Sequence, residues 1–200
     1  MIKALIFDVG GVLLRTEDLS PRRKWEAQLG LSEWGLAGAV FDNPPAHATT
    51  LGQATEAEVW EAVRGRFDLS LEELIVLKRD FWAGDQFDES LLDWVSARRG
   101  RFRTGILSNA WPGARAFLTG QPKIVAAFDE LVISAEVGVR KPQPEIYELA
   151  LRRLNVPAAA AVFVDDVLEN VEAARKVGLS AIQFKPELDL QGEMARLGVV

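Results

Sequence analysis

Five short runs along the chain are almost continuously apolar. They lie at residues 3–7, 104–107, 131–134, 161–164 and 181–184. Runs of this kind are typical of strands that are buried on both faces of a parallel sheet. Apolar residues recur at helical spacing in the intervening segments 88–98, 145–154 and 168–177. This alternation predicts an α/β fold, a doubly wound parallel sheet of the Rossmann-like kind with helices on both faces.

The alternation breaks between the first two strands, where residues of about 15–86 show helical patterns and no convincing strand. Ser20 and Ser32 are predicted to open two helices. Thr55 and Ser70 each stand three residues before a glutamate, which predicts two capping boxes. We therefore expect an inserted helical domain at 15–86 and an α/β core built from 1–14 and 87–200.

Composition narrows the classes of function. The chain has 200 residues, 48% of them apolar, and no cysteine, which excludes disulfides, thiolate zinc sites and a cysteine nucleophile. A net charge of −6 argues against nucleic acid as a partner, and the short apolar runs argue against a membrane. We expect a cytoplasmic protein, either monomer or homodimer. Because His47 is the only histidine, a metal site that needs two histidines is excluded. His47 itself is expected in an exposed loop.

Polar residues with chemical potential follow the predicted strands. Asp8 comes directly after the first strand and before Gly10-Gly11, Ser108-Asn109 follows the second, and Asp165-Asp166 follows the fourth. Lys141 precedes a proline in a predicted turn. Because the carboxyl ends of parallel strands share one edge of a sheet, these groups are expected to meet there. Asp8 alone would be equally well explained as a turn-forming residue.

In this order, the elements carried by Asp8, Ser108, Lys141 and Asp165-Asp166 resemble the haloacid dehalogenase (HAD) superfamily. The resemblance covers nearly the whole chain and implies phosphoryl transfer through an aspartyl-phosphate on Asp8. It also implies that the inserted helices form a small cap over the site. Ser108 would bind a phosphate oxygen, and Lys141 would balance the charges of the nucleophile and the phosphate.

The resemblance implies Mg²⁺ as cofactor. Its ligands would be Asp8, the Gly10 carbonyl and Asp166, with Asp165 acting through water and Asn170 supporting the pair. Three crowded carboxylates also require a cation on electrostatic grounds. The substrate-binding set is expected to comprise Gly10, Gly11, Ser108, Asn109 and Lys141.

One position departs from the pattern. Most phosphatases of the family carry a second Asp two residues after the nucleophile, and here that residue is Gly10. The leading prediction is a Mg²⁺-dependent hydrolase of small phosphorylated metabolites. Two alternatives stay open, a haloacid dehalogenase-type hydrolase and a catalytically weak phosphate-binding module. Trp111 is expected near the site entrance, and Arg15 and Glu17 are weaker substrate candidates.

Overall fold

The computed structural model describes residues 1–200, and the predicted fold class is confirmed. The five predicted strands are β1 (Ala4–Phe7), β4 (Arg103–Ser108), β5 (Glu130–Ile133), β6 (Ala161–Asp165) and β7 (Ser180–Gln183). They join one parallel sheet in the order β5-β4-β1-β6-β7. The chain adds β4 and β5 on one side of β1 and then crosses over to add β6 and β7 on the other side. The carboxyl end of β1 is therefore the topological switch point, where α/β proteins place their ligands.

Helices cover both faces of the sheet, as the apolar runs predict. The helix predicted at 88–98 is slightly shorter, at Glu89–Ser96, and the helices predicted at 145–154 and 168–177 match closely. The core helices are α6 (Glu89–Ser96), α7 (Ala114–Thr119), α8 (Pro122–Ala127), α9 (Ser134–Val137), α10 (Pro144–Leu154), α11 (Leu168–Val177) and α12 (Leu190–Arg196), with a short 3₁₀ turn at Ala158–Ala160. One face of the sheet packs against α10 and α11, and the opposite face against α6, α8 and α12.

The inserted segment, expected at 15–86, contains five helices with a hydrophobic cluster of their own. These are α1 (Ser20–Gln28), α2 (Gly35–Phe41), α3 (Pro44–Thr49), α4 (Glu56–Phe67) and α5 (Leu71–Trp82). Both predicted capping boxes are present, at Thr55 and at Ser70. The prediction that Ser32 opens a helix is wrong, because α2 begins at Gly35 and has Trp34 as its N-cap residue.

The expectation that this segment contains no strand is also wrong. β2 (Leu14–Thr16) and β3 (Asp85–Phe87) pair antiparallel and form a two-stranded ribbon where the helices join the core. Asp18 approaches the ribbon so closely that a Cβ on Gly84 would lie 1.8 Å from its carbonyl oxygen. The two crossings between core and inserted helices are therefore held side by side. No helix in the structure is both long enough and apolar enough to cross a membrane.

Candidate active site

Asp8 lies one residue beyond β1 and is almost fully buried, at 8% exposure. Its Oδ1 atom accepts a hydrogen bond from the Val9 backbone N–H at 2.7 Å and lies 2.9 Å from the Lys141 Nζ. Both interactions orient the carboxylate from one side. The other oxygen, Oδ2, is therefore the atom that is available for attack on a substrate.

Lys141 is buried in the site, although a lysine before a proline usually lies on the surface. Its Nζ lies 2.6 Å from Asp165 Oδ2 as well as 2.9 Å from Asp8 Oδ1, and the residue is 1% exposed. Burial lowers the pKa of Lys141, but the charges of Asp8 and Asp165 raise it more, so the net direction is upward. The ammonium group therefore stays protonated and shares its charge between two carboxylates.

The two acidic residues at the end of β6, Asp165 as its last residue and Asp166 directly after it, have different surroundings. Asp165 is fully buried and accepts hydrogen bonds from Lys141, from the Asn170 side chain at 3.1 and 3.2 Å, and from the Val167 N–H at 2.8 Å. Asp166 is more open, and its side chain faces Gly11. Asp165 is thus already engaged by protein groups, whereas Asp166 faces the site.

The site carries more negative than positive charge. Carboxylate oxygens of Asp8, Asp165 and Asp166 lie within 4.8 Å of one another, and only Lys141 is paired with them. Burial raises the pKa of Asp8 to about 7, with Lys141 opposing the shift and Asp165 adding to it. Burial, then the charge of Asp165, also raises the pKa of Asp166. A hard divalent cation fits this set of oxygen donors in both charge and ligand type.

The two glycines after the nucleophile have different environments. Gly11 has a φ of +73°, and a Cβ there would lie 2.3 Å from Asp166 Oδ2, so a side chain is excluded. Its N–H already donates to the Leu14 carbonyl at 3.0 Å and is not free for a ligand, so the expected role of Gly11 in substrate binding stays a prediction. A Cβ on Gly10 would meet nothing within 4 Å, and its φ lies outside the left-handed region. The missing carboxylate at Gly10 is therefore not a steric necessity.

Ser108 is the last residue of β4, and Asn109 follows it at the same edge of the sheet. Ser108 is buried at 5% exposure, on the strand that pairs with β1. The Asn109 side chain donates to the Lys141 carbonyl at 2.9 Å and accepts from the Lys141 N–H at 2.8 Å. In this arrangement Asn109 positions Lys141, a role that sequence reasoning missed because 32 residues separate the two. The expected role of Asn109 in substrate binding stays a prediction.

Arg15 is engaged in the ribbon. It donates to Glu17 at 3.0 Å, to Asp88 at 2.9 Å and to the Val12 carbonyl at 3.1 Å. These bonds tie the start of the inserted segment to the start of α6. These contacts do not bring Arg15 or Glu17 to Asp8. Their side chains instead hold the ribbon in place.

The inserted helices also contact the core beside Lys141. Arg140 donates to the Thr50 hydroxyl at 3.0 Å, and a Cβ on Gly52 would lie 2.3 Å from the Ala135 carbonyl oxygen. Gly52 has a φ of +71°, which a turn-forming glycine accepts easily. The sequence shows the glycine but carries no sign of this contact, because its partner belongs to a distant element.

Comparison with known proteins places this arrangement in a family. The family model described as haloacid dehalogenase-like hydrolase matches residues 2–178. The chain belongs to this hydrolase family. The predicted family is thereby confirmed, and with it the interpretation of the chain as an enzyme.

Two curated relatives of this HAD-family chain differ greatly in length. It is 27% identical over 206 residues to D-ribitol-5-phosphate phosphatase of Bacteroides thetaiotaomicron, covering 97% of both chains. It is also 27% identical over 205 residues to drimenol cyclase drtB of Aspergillus calidoustus, covering 98% of this chain but only 37% of the cyclase. The chain thus spans about a third of one relative and nearly all of the other.

The solved structures agree with the HAD fold. A HAD-family enzyme of Bacteroides thetaiotaomicron, crystallised with magnesium and inorganic phosphate, superposes with a TM-score of 0.77 at 19% identity. The alignment covers 96% of this chain and 99% of that one. At 19% identity the likeness establishes the fold alone.

Proposed function

We propose that this HAD-family hydrolase is a Mg²⁺-dependent phosphatase of small phosphorylated metabolites that works through an aspartyl-phosphate on Asp8. The observation that carries the proposal is the pairing of Asp8 with the buried ammonium of Lys141, beside the more open carboxylate of Asp166. A carboxylate that is oriented on one oxygen and free on the other is arranged as a nucleophile.

The chain's own residues divide the work. Asp8 forms a bond from its free carboxylate oxygen to phosphorus, and the bond to the leaving oxygen breaks. Lys141 stabilises the negative charge around the nucleophile, and Ser108 offers a hydroxyl to a phosphate oxygen. Water then cleaves the acyl phosphate, releasing phosphate and restoring Asp8.

Asp8, Asp166 and the Gly10 carbonyl would hold Mg²⁺, and Asp165 would act through water. When bound, the ion supplies positive charge at the phosphate oxygens. The proposal is supported by the excess of carboxylates in the site and by the magnesium and phosphate complex of the similar HAD-family enzyme.

A dehalogenase would use the same nucleophile on carbon. The acidic pair favours phosphoryl chemistry, because a dehalogenation site has no need of a second open carboxylate beside the nucleophile. Asp166 is such a carboxylate, with its side chain next to Gly11.

The test measures phosphate release from a panel of phosphate esters, with Mg²⁺ and with a chelator. We expect turnover only with the metal, and none in Asp8→Asn. Halide release from a 2-haloacid without metal would support the dehalogenase instead. Binding of Mg²⁺ and phosphate without turnover of any ester would support the non-catalytic module.

A further inference from the structure

Three aromatic side chains form a continuous surface where the inserted helices meet the core. Phe41 ends α2, Trp82 ends α5, and Trp111 lies in the loop after β4. The ring centroids are 6.0 Å apart for Phe41 and Trp82, 5.8 Å for Phe41 and Trp111, and 6.3 Å for Trp82 and Trp111. Each ring thus contacts both others, and we call this set the aromatic wall.

Two rings of the aromatic wall are open to solvent and the third, Trp111, is half-buried, whereas the rings behind the wall are buried. Phe41 is 41% and Trp82 is 40% exposed, whereas the supporting rings of Trp60 and Phe81 are 1% and 0% exposed. Large aromatic side chains are stabilised by burial, and contiguous exposed apolar surface commonly marks a ligand site. A flat apolar group would cover this surface.

The aromatic wall lies close to the expected phosphate site. Trp111 follows Ser108 by three residues, so their Cα atoms are at most about 11 Å apart. The loop between them is fixed, since Asn109 bonds to the Lys141 backbone and the Ala110 N–H donates to Ser134 Oγ at 3.1 Å. A phosphate at Ser108 and Lys141 therefore places the rest of its molecule within reach of the wall.

A second observation concerns the leaving group. Gly10 carries no side chain to protonate a departing oxygen. A phenol has a pKa of about 10, close to that of tyrosine, whereas water has a pKa of about 16 and aliphatic alcohols are similarly weak acids. A phenolate can therefore leave without a proton, and an alkoxide leaves poorly without one.

We infer that the substrate is an aryl phosphate, a phosphate monoester of a phenol whose ring lies against the aromatic wall. The inference rests on the proposed phosphatase function and assigns its substrate class. An Asp8 oxygen bonds to phosphorus while the bond from phosphorus to the phenolic oxygen breaks. The phenolate departs with the electron pair and takes a proton from solvent. Water then hydrolyses the acyl phosphate.

Three substrates distinguish the effect of the ring from the effect of the leaving group. Phenyl phosphate has the ring and the good leaving group, cyclohexyl phosphate has similar size but a poor leaving group, and acetyl phosphate has a good leaving group without a ring. We expect phenyl phosphate to have the highest kcat/KM. Trp111→Ala and Trp82→Ala should raise the KM for phenyl phosphate about tenfold and leave acetyl phosphate within about twofold.

Two further variants control for folding. Trp111→Phe should restore most of the phenyl phosphate activity, because it retains a ring. Trp34→Ala removes another half-exposed tryptophan of the inserted segment that forms no aromatic pair with the wall, and the activity on all three substrates should stay unchanged.

The outcomes distinguish this inference from the proposed function. Hydrolysis of acetyl phosphate without a preference for phenyl phosphate would overturn the substrate class and leave the phosphatase standing. Equal losses on phenyl and acetyl phosphate in Trp111→Ala would also overturn it, because the wall would then serve only the fold. Absence of phosphate release from all three compounds would reject the phosphatase itself.

Discussion

Gly10→Asp is predicted to add the acid–base group that the site lacks. A Cβ at this position meets no atom within 4 Å, and the φ of Gly10 is accessible to ordinary residues. The new carboxyl would lie near Asp8 and Asp166, and these neighbouring charges would raise its pKa and favour the protonated form that an acid needs.

A positioned acid–base group contributes about 10²–10⁴-fold to rate, or about 2.7–5.4 kcal/mol of barrier. We therefore expect Gly10→Asp to increase kcat/KM for cyclohexyl phosphate by about 10²-fold or more. Phenyl phosphate should gain less than about tenfold, because its leaving group needs little protonation. The assay compares both substrates in wild type, Gly10→Asp and the isosteric control Gly10→Asn, which cannot donate a proton as an acid.

An equal increase of the rate in Gly10→Asn and Gly10→Asp would contradict the prediction, since shape alone would then explain the gain. A correctly folded Gly10→Asp protein that binds Mg²⁺ but shows no gain on cyclohexyl phosphate would also contradict it. In that case another group in the wild-type site already donates the proton. Thermal unfolding with and without Mg²⁺ establishes that each variant is folded and binds the metal.

Two further pairs of variants test the division of labour in the site. Asp165→Asn should destabilise the protein by about 3–5 kcal/mol, because it leaves the buried Lys141 ammonium with one partner fewer. Asp166→Asn should leave metal-free stability intact but abolish the rise in Tm on adding Mg²⁺; equal effects in the two variants would contradict the assignment. Gly52→Ala should lower both stability and kcat/KM, because the added Cβ meets the core. The control Gly30→Ala changes a glycine with a similar positive φ and open space around it, and it should lower stability alone. Unchanged kcat/KM in Gly52→Ala would show that its contact with the core is dispensable for catalysis.

The parts of the fold that the sequence predicts well are those coded locally. The strand before Asp8 is continuously apolar because both of its faces are buried, and the capping boxes at Thr55 and Ser70 satisfy their own helix ends. The ribbon of Leu14–Thr16 and Asp85–Phe87 escaped prediction because each strand is three residues long and its partner lies about seventy residues away.

The same distinction applies to the site. The placement of Asp8 and Asp165 at one sheet edge follows from strand periodicity and parallel topology. The bonds from Asn109 to Lys141 depend on two loops meeting, which no local pattern shows. His47 shows a different kind of error, because here a local signal was present and was misread. The expected loop is helix α3, in which Asn43 is the N-cap and prolines occupy the first turn. The predicted exposure of His47 is correct.

The covalent step at Asp8 is the central claim and can be measured directly. Borohydride added during steady-state turnover of phenyl phosphate with Mg²⁺ would reduce an aspartyl-phosphate to homoserine, which peptide mass spectrometry can locate. We predict homoserine at position 8 and at no other acidic residue, and none when substrate is omitted. Rapid turnover with an unmodified Asp8, or homoserine at position 165 or 166 instead, would contradict the account.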